Sequence, residues 1–494
     1  MTIPKKMKSK TIFFFLIFIS FDQVTFGQVS KIKTVENNLT EVKELIFEDS
    51  IIPKYSITDR MKFYKIPSVS LALINNGKIE WTKTYGYADI EMKRLANTTT
   101  LYQVASITKS FTGIAIMRLV QEGKLSLTND IRNYLKTWTF PDNDSSKNKL
   151  ITFKNLLSHT AGLSVHGFIG YSVSDSLPTI NQILNGERPA NNEAVKPIYP
   201  INEHFEYSGG GYAIIRKILD DNISSNYDSL MQTFISKPLK MTNSTFSQPL
   251  LPQYKNYAFG YDKEMQPLKG NYYIYPEQSA GGLWSTATDI AKFVLSIQND
   301  LKGSPNSLIN KRLSEEMLTP VLNNYALGFG VVEKGGEKYF WHEGESYGYN
   351  SMYYGSFTTG KGVVILTNAY PSNGHPFIQE LLNSVATTYG WKDFYNPVKK
   401  KLTSVPDTLL AKYIGDYYSE NPQMKILITR NDNQLELTAR RPEKMYATKL
   451  DTFFLASSPN DNCIFSSSKK DGVIDTFEVI QNGKTIIKAI RKKE

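Results

Sequence analysis

Cysteine is almost missing from this chain. Cys463 stands alone, so neither an intrachain disulfide nor a cysteine-built metal cluster can hold the fold. Histidine is scarce as well, five in 494 residues, and no set of histidines and carboxylates has metal-ligand spacing. No metal or other cofactor is therefore expected. No apolar run approaches the roughly 20 residues that a bilayer-spanning helix takes. No stripe of clustered basic and aromatic residues marks a nucleic-acid surface, so no nucleic-acid partner is expected. Internal repeats and low-complexity blocks that would change this picture are missing too.

What is present is a chain long enough to build two or three ordinary cores without covalent staples. Its beginning reads as an export signal: Lys5, Lys6, Lys8 and Lys10 precede the apolar run Ile12 to Phe21, and Thr25 and Gly27 follow. The run is too short to span a bilayer, so cleavage after Gly27 is expected, with the product in the periplasm or the medium and no membrane span left; the alternative is an uncleaved N-terminal anchor. The formal net charge is +10, of which residues 1–27 carry +3, so the remainder is near +7. A diffuse charge of that size bears on solubility and on weak attraction to anionic envelope polymers, not on fold.

Residues 66 to 90 alternate as two strands around Asn75-Asn76-Gly77, a strong hairpin signal. From Ser106 the period becomes helical through Ile107, Phe111, Ile114, Met117 and Leu119 until Gly123, predicting a helix of about four turns that begins at or beside Ser106. Helical and loop segments then dominate to about residue 270. Thr286 and Asp289 have capping-box spacing before the helix IAKFVLSIQ. Strands return in YALGFGVVE, KYFWHEG, YNSMYYGSF and GVVILTN. Residues 396–407 are polar with lysine and proline and read as a linker. Beyond them short alternating strands, broken by Asp432-Asn433 and Asn482-Gly483, predict a small antiparallel β-domain over 408–494.

Ser106-Ile107-Thr108-Lys109 places a hydroxyl and an amine three residues apart at a helix start, on one face. Ser-x-x-Lys also begins at Ser30, Ser146, Ser466 and Ser467, which read as a tail behind the signal, a polar loop and a hairpin; only the copy at Ser106 opens an apolar helix. A serine of ordinary pKa needs a base. Tyr207-Ser208-Gly209 and His342-Glu343-Gly344 offer partners. Free tyrosine is only on the order of 0.1 % phenolate at neutral pH, so the expectation is that a charged Lys109 lowers the Tyr207 phenol by 1 to 3 units. His159 in LLSHTAGL is read as structural, and His166, His204 and His375 receive no role.

Ser106-x-x-Lys109, Tyr207-Ser208-x and a strand ending in His342-x-Gly344, with the phrases LVQEGKLSLTNDI, ITFKNLLSHTAGL, FEYSGGGYAI, SAGGLWSTATDIAKF and WHEGESYGYNS between about residues 60 and 370, resemble the penicillin-binding protein and class C β-lactamase family. The resemblance implies an α+β fold: a β-lactamase/transpeptidase-like antiparallel sheet with helices over residues 28–395, a mainly helical region inserted at about 106–270, and a lipocalin-like C-terminal β-barrel. It implies that Ser106 is acylated, that Lys109 and Tyr207 share proton transfer, that His342 replaces the usual lysine of the third motif, and that the backbone N–H groups of Ser106 and of Glu345, on the edge strand after Gly344, form the oxyanion hole. Gly209 stands where the family usually has an asparagine. With His342 in place of a lysine, this favours a peptide, D-amino acid amide or ester of small-molecule or cell-wall origin over a β-lactam. Two other readings come from the same residues. One is a family member that binds without turnover. The other is a nucleophile elbow at Gly344-Glu345-Ser346-Tyr347-Gly348, which requires a helix directly after Ser346.

Overall fold

The computed structural model describes residues 26–468 and 473–492. The export signal expected over 1–27 lies outside them apart from Phe26 and Gly27, which open a helix, Phe26–Asn37. Ser30 therefore sits on a helix rather than in a tail. That helix is docked: Val35 is buried and its carbonyl accepts a hydrogen bond from Ser384 Oγ at 2.7 Å.

Seven strands form one antiparallel sheet. In chain order they are β1 (Ser68–Asn75), β2 (Lys78–Asp89), β3 (Arg94–Leu95), β4 (Gly330–Lys334), β5 (Glu337–Ser346), β6 (Tyr349–Ser356) and β7 (Gly362–Thr367). Across the sheet the order is β3-β2-β1-β7-β6-β5-β4. The β1–β2 hairpin turns at Asn76 and Gly77, both at positive φ (52° and 72°), as a tight two-residue turn of that hand requires. Along β1, Val69, Leu71 and Leu73 face one core while Ala72 and Ile74 face the other. Both faces are covered, which is why the strand reads as a nearly continuous apolar run.

Four helices matter for the site and its support: α1 (Thr108–Gln121), α2 (Gly209–Asn222), α3 (Ala287–Lys302) and α4 (Pro371–Thr388). The first three share the larger core, where Phe111 of α1 stacks on Phe293 of α3. Helix α4 covers the other face of the sheet through Phe377, Ile378, Leu381 and Val385. Thr286 caps α3 by accepting the Asp289 N–H at 3.1 Å. The reciprocal half of the capping box does not form, because the Asp289 carboxylate is taken by the Asn243 N–H at 2.8 Å and Ser244 Oγ at 3.0 Å. Of YALGFGVVE, only the part from Gly330 is strand, in Gly330–Lys334.

Within 396–407, Val398–Lys400 pairs in parallel with Leu45–Phe47, and the helix Asp407–Tyr413 follows. The chain then closes an eight-stranded antiparallel barrel from Gly415–Glu420 to Lys484–Arg491. The barrel is filled by Tyr413, Tyr417, Phe453, Phe465 and Phe477, with Cys463 among them. The predicted turns at Asp432 and at Asn482-Gly483 both carry positive φ. The catalytic-type sheet with helices and the separate barrel expected from the sequence are both present.

Candidate active site

The serine sits in a turn before α1. Residues Ala105–Ile107 form a 3-10 turn, and Ala105 holds φ +44°, a left-handed conformation that costs a non-glycine residue on the order of 1 kcal/mol. That bend half-exposes Ser106 while its neighbours are buried. One helical turn on, the buried Lys109 extends its Nζ to 3.0 Å from Ser106 Oγ and 2.9 Å from the carbonyl oxygen of Ala280. Burial pulls the ammonium down to about 7, since a low-dielectric interior disfavours the charged form.

Tyr207 stands just ahead of α2. Ser208 caps that helix by accepting the Gly211 N–H at 3.0 Å, and its own N–H donates to His159 Nδ1 at 3.0 Å. The imidazole of His159 packs on the Tyr207 ring, centroids 4.2 Å apart, so His159 has the structural place expected of it. Lys109 Nζ lies 4.9 Å from the centre of the Tyr207 ring. The Tyr207 phenol is nevertheless pushed up, chiefly by burial, against a smaller opposing pull from the Ser106 hydroxyl. The expectation of a lysine-assisted phenolate is therefore corrected: desolvation wins, Tyr207 keeps its proton, and the buried lysine is the group that is readily neutral.

The third motif lies on β5. Gly330 of β4 is opposite Trp341 and begins that strand, so β5 is interior up to Trp341 and an open edge from His342 to Ser346. His342 Nδ1 donates to the Glu343 carbonyl at 2.6 Å, which leaves Nε2 to accept from the Tyr325 hydroxyl at 2.8 Å. Burial, reinforced by the Lys109 charge, drives the imidazole to about 3; it is neutral across the physiological range. Gly344 is set by contact. A Cβ there would lie 2.0 Å from the Val104 carbonyl oxygen, so only glycine lets the β5 backbone press against the turn that carries Ser106.

Ser106, Lys109, Tyr207, His342 and Glu345 all line one cavity of about 630 Å³. Gly344 is not among its lining residues and instead lies against the Val104 carbonyl. At Gly209, a Cβ would meet the Phe168 ring at 2.9 Å and the His166 carbonyl at 3.3 Å; an aromatic ring occupies the space that a side chain at 209 would need. His166, assigned no role from the sequence, lines the cavity, its ring 4.9 Å from that of Tyr207. His375, likewise passed over, lies 3.9 Å from the Glu343 carboxylate and 4.0 Å from that of Glu345. Glu277 and Tyr325, not singled out by sequence reasoning, are lining residues too. After Ser346 the chain turns at Tyr347-Gly348 into strand β6, not a helix, so the nucleophile-elbow reading fails.

The family described as Beta-lactamase matches residues 56–385. Protein flp of Staphylococcus aureus (strain MRSA252) is 30% identical over 312 residues, 61% of this chain and 60% of that protein, so the match spans less than two thirds of the relative's length. Among solved structures, the octameric penicillin-binding protein homologue from Pyrococcus abyssi aligns with a TM-score of 0.60 at 23% identity, over 88% of this chain and 98% of that one. D-amino acid amidase from Ochrobactrum anthropi SV3, in complex with L-phenylalanine amide, aligns with a TM-score of 0.53 at 22% identity, over 67% of this chain and 97% of that one. At these identities the two structural likenesses speak to the fold.

Proposed function

The chain belongs to the Beta-lactamase family, and we propose that it hydrolyses a peptide, amino acid amide or ester through an acyl-enzyme on Ser106. The observation that carries this reading is the 3.0 Å contact between Ser106 Oγ and a Lys109 amine held near 7 inside a cavity. A base with that pKa is unprotonated for a large part of the time at neutral pH and still basic enough to take a hydroxyl proton.

In the proposed sequence, neutral Lys109 accepts the Ser106 proton as Oγ forms its bond to the substrate carbonyl carbon. The negative charge that develops on the carbonyl oxygen is received by the backbone N–H groups of Ser106 and Glu345, a pair whose loss of one member typically lowers rate by about 10²- to 10³-fold. Tyr207 passes a proton to the leaving group and is reprotonated from Lys109. Water then attacks the ester carbonyl with Lys109 again as base, and the acid is released. A neutral His342 offers no fixed cation to a substrate carboxylate, and Gly209 with Phe168 against it offers no amide. Both support amides and esters over β-lactams as substrates. The basic-then-apolar pattern of residues 5–27 supports export.

The test is a substrate panel on the purified protein: p-nitrophenyl acetate, phenylalaninamide of each hand, and a chromogenic cephalosporin. Ester or amide turnover at least about 10²-fold above cephalosporin turnover, lost in Ser106→Ala, is the expected result. Cephalosporin as the best substrate would overturn the substrate assignment, and turnover that survives in Ser106→Ala would overturn the mechanism.

A further inference from the structure

The cavity around Ser106 is acidic although the chain as a whole is basic. Among the described residues, Lys109 is the one lysine or arginine that lines it, against three glutamates, Glu277, Glu343 and Glu345. Lys109 is already committed to Ser106 and to the Ala280 carbonyl. Glu343 and Glu345 stand at the mouth, their side chains 41% and 50% exposed, with His375 beside them. Glu277 differs from both. It is fully buried in the cavity wall, and among the described residues neither carboxyl oxygen has a hydrogen-bond partner in another residue; its own backbone N–H exerts a pull on it.

A buried carboxyl group without a partner is costly, and native proteins seldom keep one without a use. Its position indicates the use. Residues Glu277 to Ala280 form one turn, closed by the Ala280 N–H donating to the Glu277 carbonyl at 2.8 Å. That turn is fastened to α1 by Lys109 through the Ala280 carbonyl and by Thr112 Oγ1 through the Ser279 carbonyl at 2.7 Å. The unpartnered acid and the nucleophile thus share one wall of one cavity.

We propose that this cavity selects substrates by charge, taking amides or esters that carry a free ammonium group, which Glu277 receives while Glu343 and Glu345 favour its approach. The inference rests on the acyl-enzyme reading only in that the bound carbonyl must face Ser106. Burial raises the Glu277 carboxyl to about 8, and an arriving ammonium supplies the counter-charge that lets it ionise, its proton leaving to solvent.

Binding to the full-length Ser106→Ala protein tests the proposal without turnover. Calorimetric titrations with phenylalaninamide of each hand and with the N-acetyl derivatives, at about pH 6.5 where an α-amino group is protonated, compare a charged ligand with a neutral one. At least one free amine should bind about tenfold or more tightly than its N-acetyl form, a difference of about 1.4 kcal/mol. Adding Glu277→Gln should bring the two within about twofold. Equal or tighter binding of the N-acetyl form, or no binding of either, would overturn the proposal. Should Glu277→Gln not fold, the two ligands on Ser106→Ala decide alone. Failure of the hydrolase reading shows elsewhere, as absence of Ser106-dependent turnover of p-nitrophenyl acetate by wild type.

Discussion

Ser106 Oγ and Lys109 Nζ lie 3.0 Å apart across one turn at the start of α1, and the lysine of this pair is buried where its charge is poorly solvated. The hydroxyl gains a base for the same reason that the amine loses stability as a cation. Geometry and electrostatics are therefore one feature: the apolar helix that buries Lys109 also sets its pKa.

The pH dependence follows directly. Only unprotonated Lys109 can accept the serine proton, so kcat/KM for an uncharged ester should rise with pH through an apparent pKa near 7 and level off above it. A pH-rate profile with p-nitrophenyl acetate checks this. In Lys109→Ala the profile should fall by about 10³-fold or more.

The same burial should cost stability. In the unfolded chain a lysine titrates near 10.4, whereas Lys109 folded titrates near 7. Between these values the unfolded state holds a proton that the folded state lacks, so this group's contribution to stability rises with pH across that window and is at its worst below 7. Lys109→Met should accordingly raise stability by up to roughly 3–5 kcal/mol at pH 6, and the gap to wild type should narrow toward pH 10. Denaturant titrations of both proteins at several pH values measure it.

Tyr207 retains its proton because burial outweighs the pull of the Ser106 hydroxyl, and the proposed mechanism accordingly puts it at the leaving group. Tyr207→Phe should lower amide hydrolysis by about 10²- to 10³-fold, since an amine leaves poorly without a proton, and p-nitrophenyl ester hydrolysis by about tenfold or less. Equal losses on both substrates would contradict the assignment.

Gly344 has no room for a methyl group: its Cβ would meet the Val104 carbonyl at 2.0 Å and Ser351 Oγ at 2.6 Å. Gly344→Ala must move β5 away from the Ser106 turn. Thermal unfolding should show a loss of about 1–3 kcal/mol, and the ester-hydrolysis rate should fall more than that loss of folded protein explains.

Much of this arrangement was legible in the sequence because the signals are local. Asn76-Gly77 names its hairpin, the change of period at Ser106 names α1, and alternating short strands after residue 407 name the antiparallel β-domain, whose closure into a barrel came from the family resemblance. What escaped depends on contacts distant in the chain. Glu277 in YPEQSAGG looks like any loop acid until the turn is seen fastened to Lys109 and Thr112. Tyr325 gives no hint in YALGFG that its hydroxyl meets His342 Nε2. Phe168 lies 41 positions from Gly209, yet it fills the space beside it. The net shift of the Tyr207 phenol runs opposite to the expectation for a related reason: charge proximity can be guessed from motif spacing, whereas the burial that overrides it cannot. The helix at Phe26–Asn37 escapes sequence reading because only Ile32 and Val35 of its apolar residues pack against the core that α4 covers, too short a stripe to declare a helix by itself.

Intact-protein mass spectrometry after exposure to a fluorophosphonate, on wild type and Ser106→Ala side by side, tests the central claim most directly. The account predicts one stoichiometric adduct on wild type, located at Ser106 by peptide mapping and missing from the variant. An adduct on another residue, or an unlabelled wild-type protein that still hydrolyses p-nitrophenyl acetate, would contradict it.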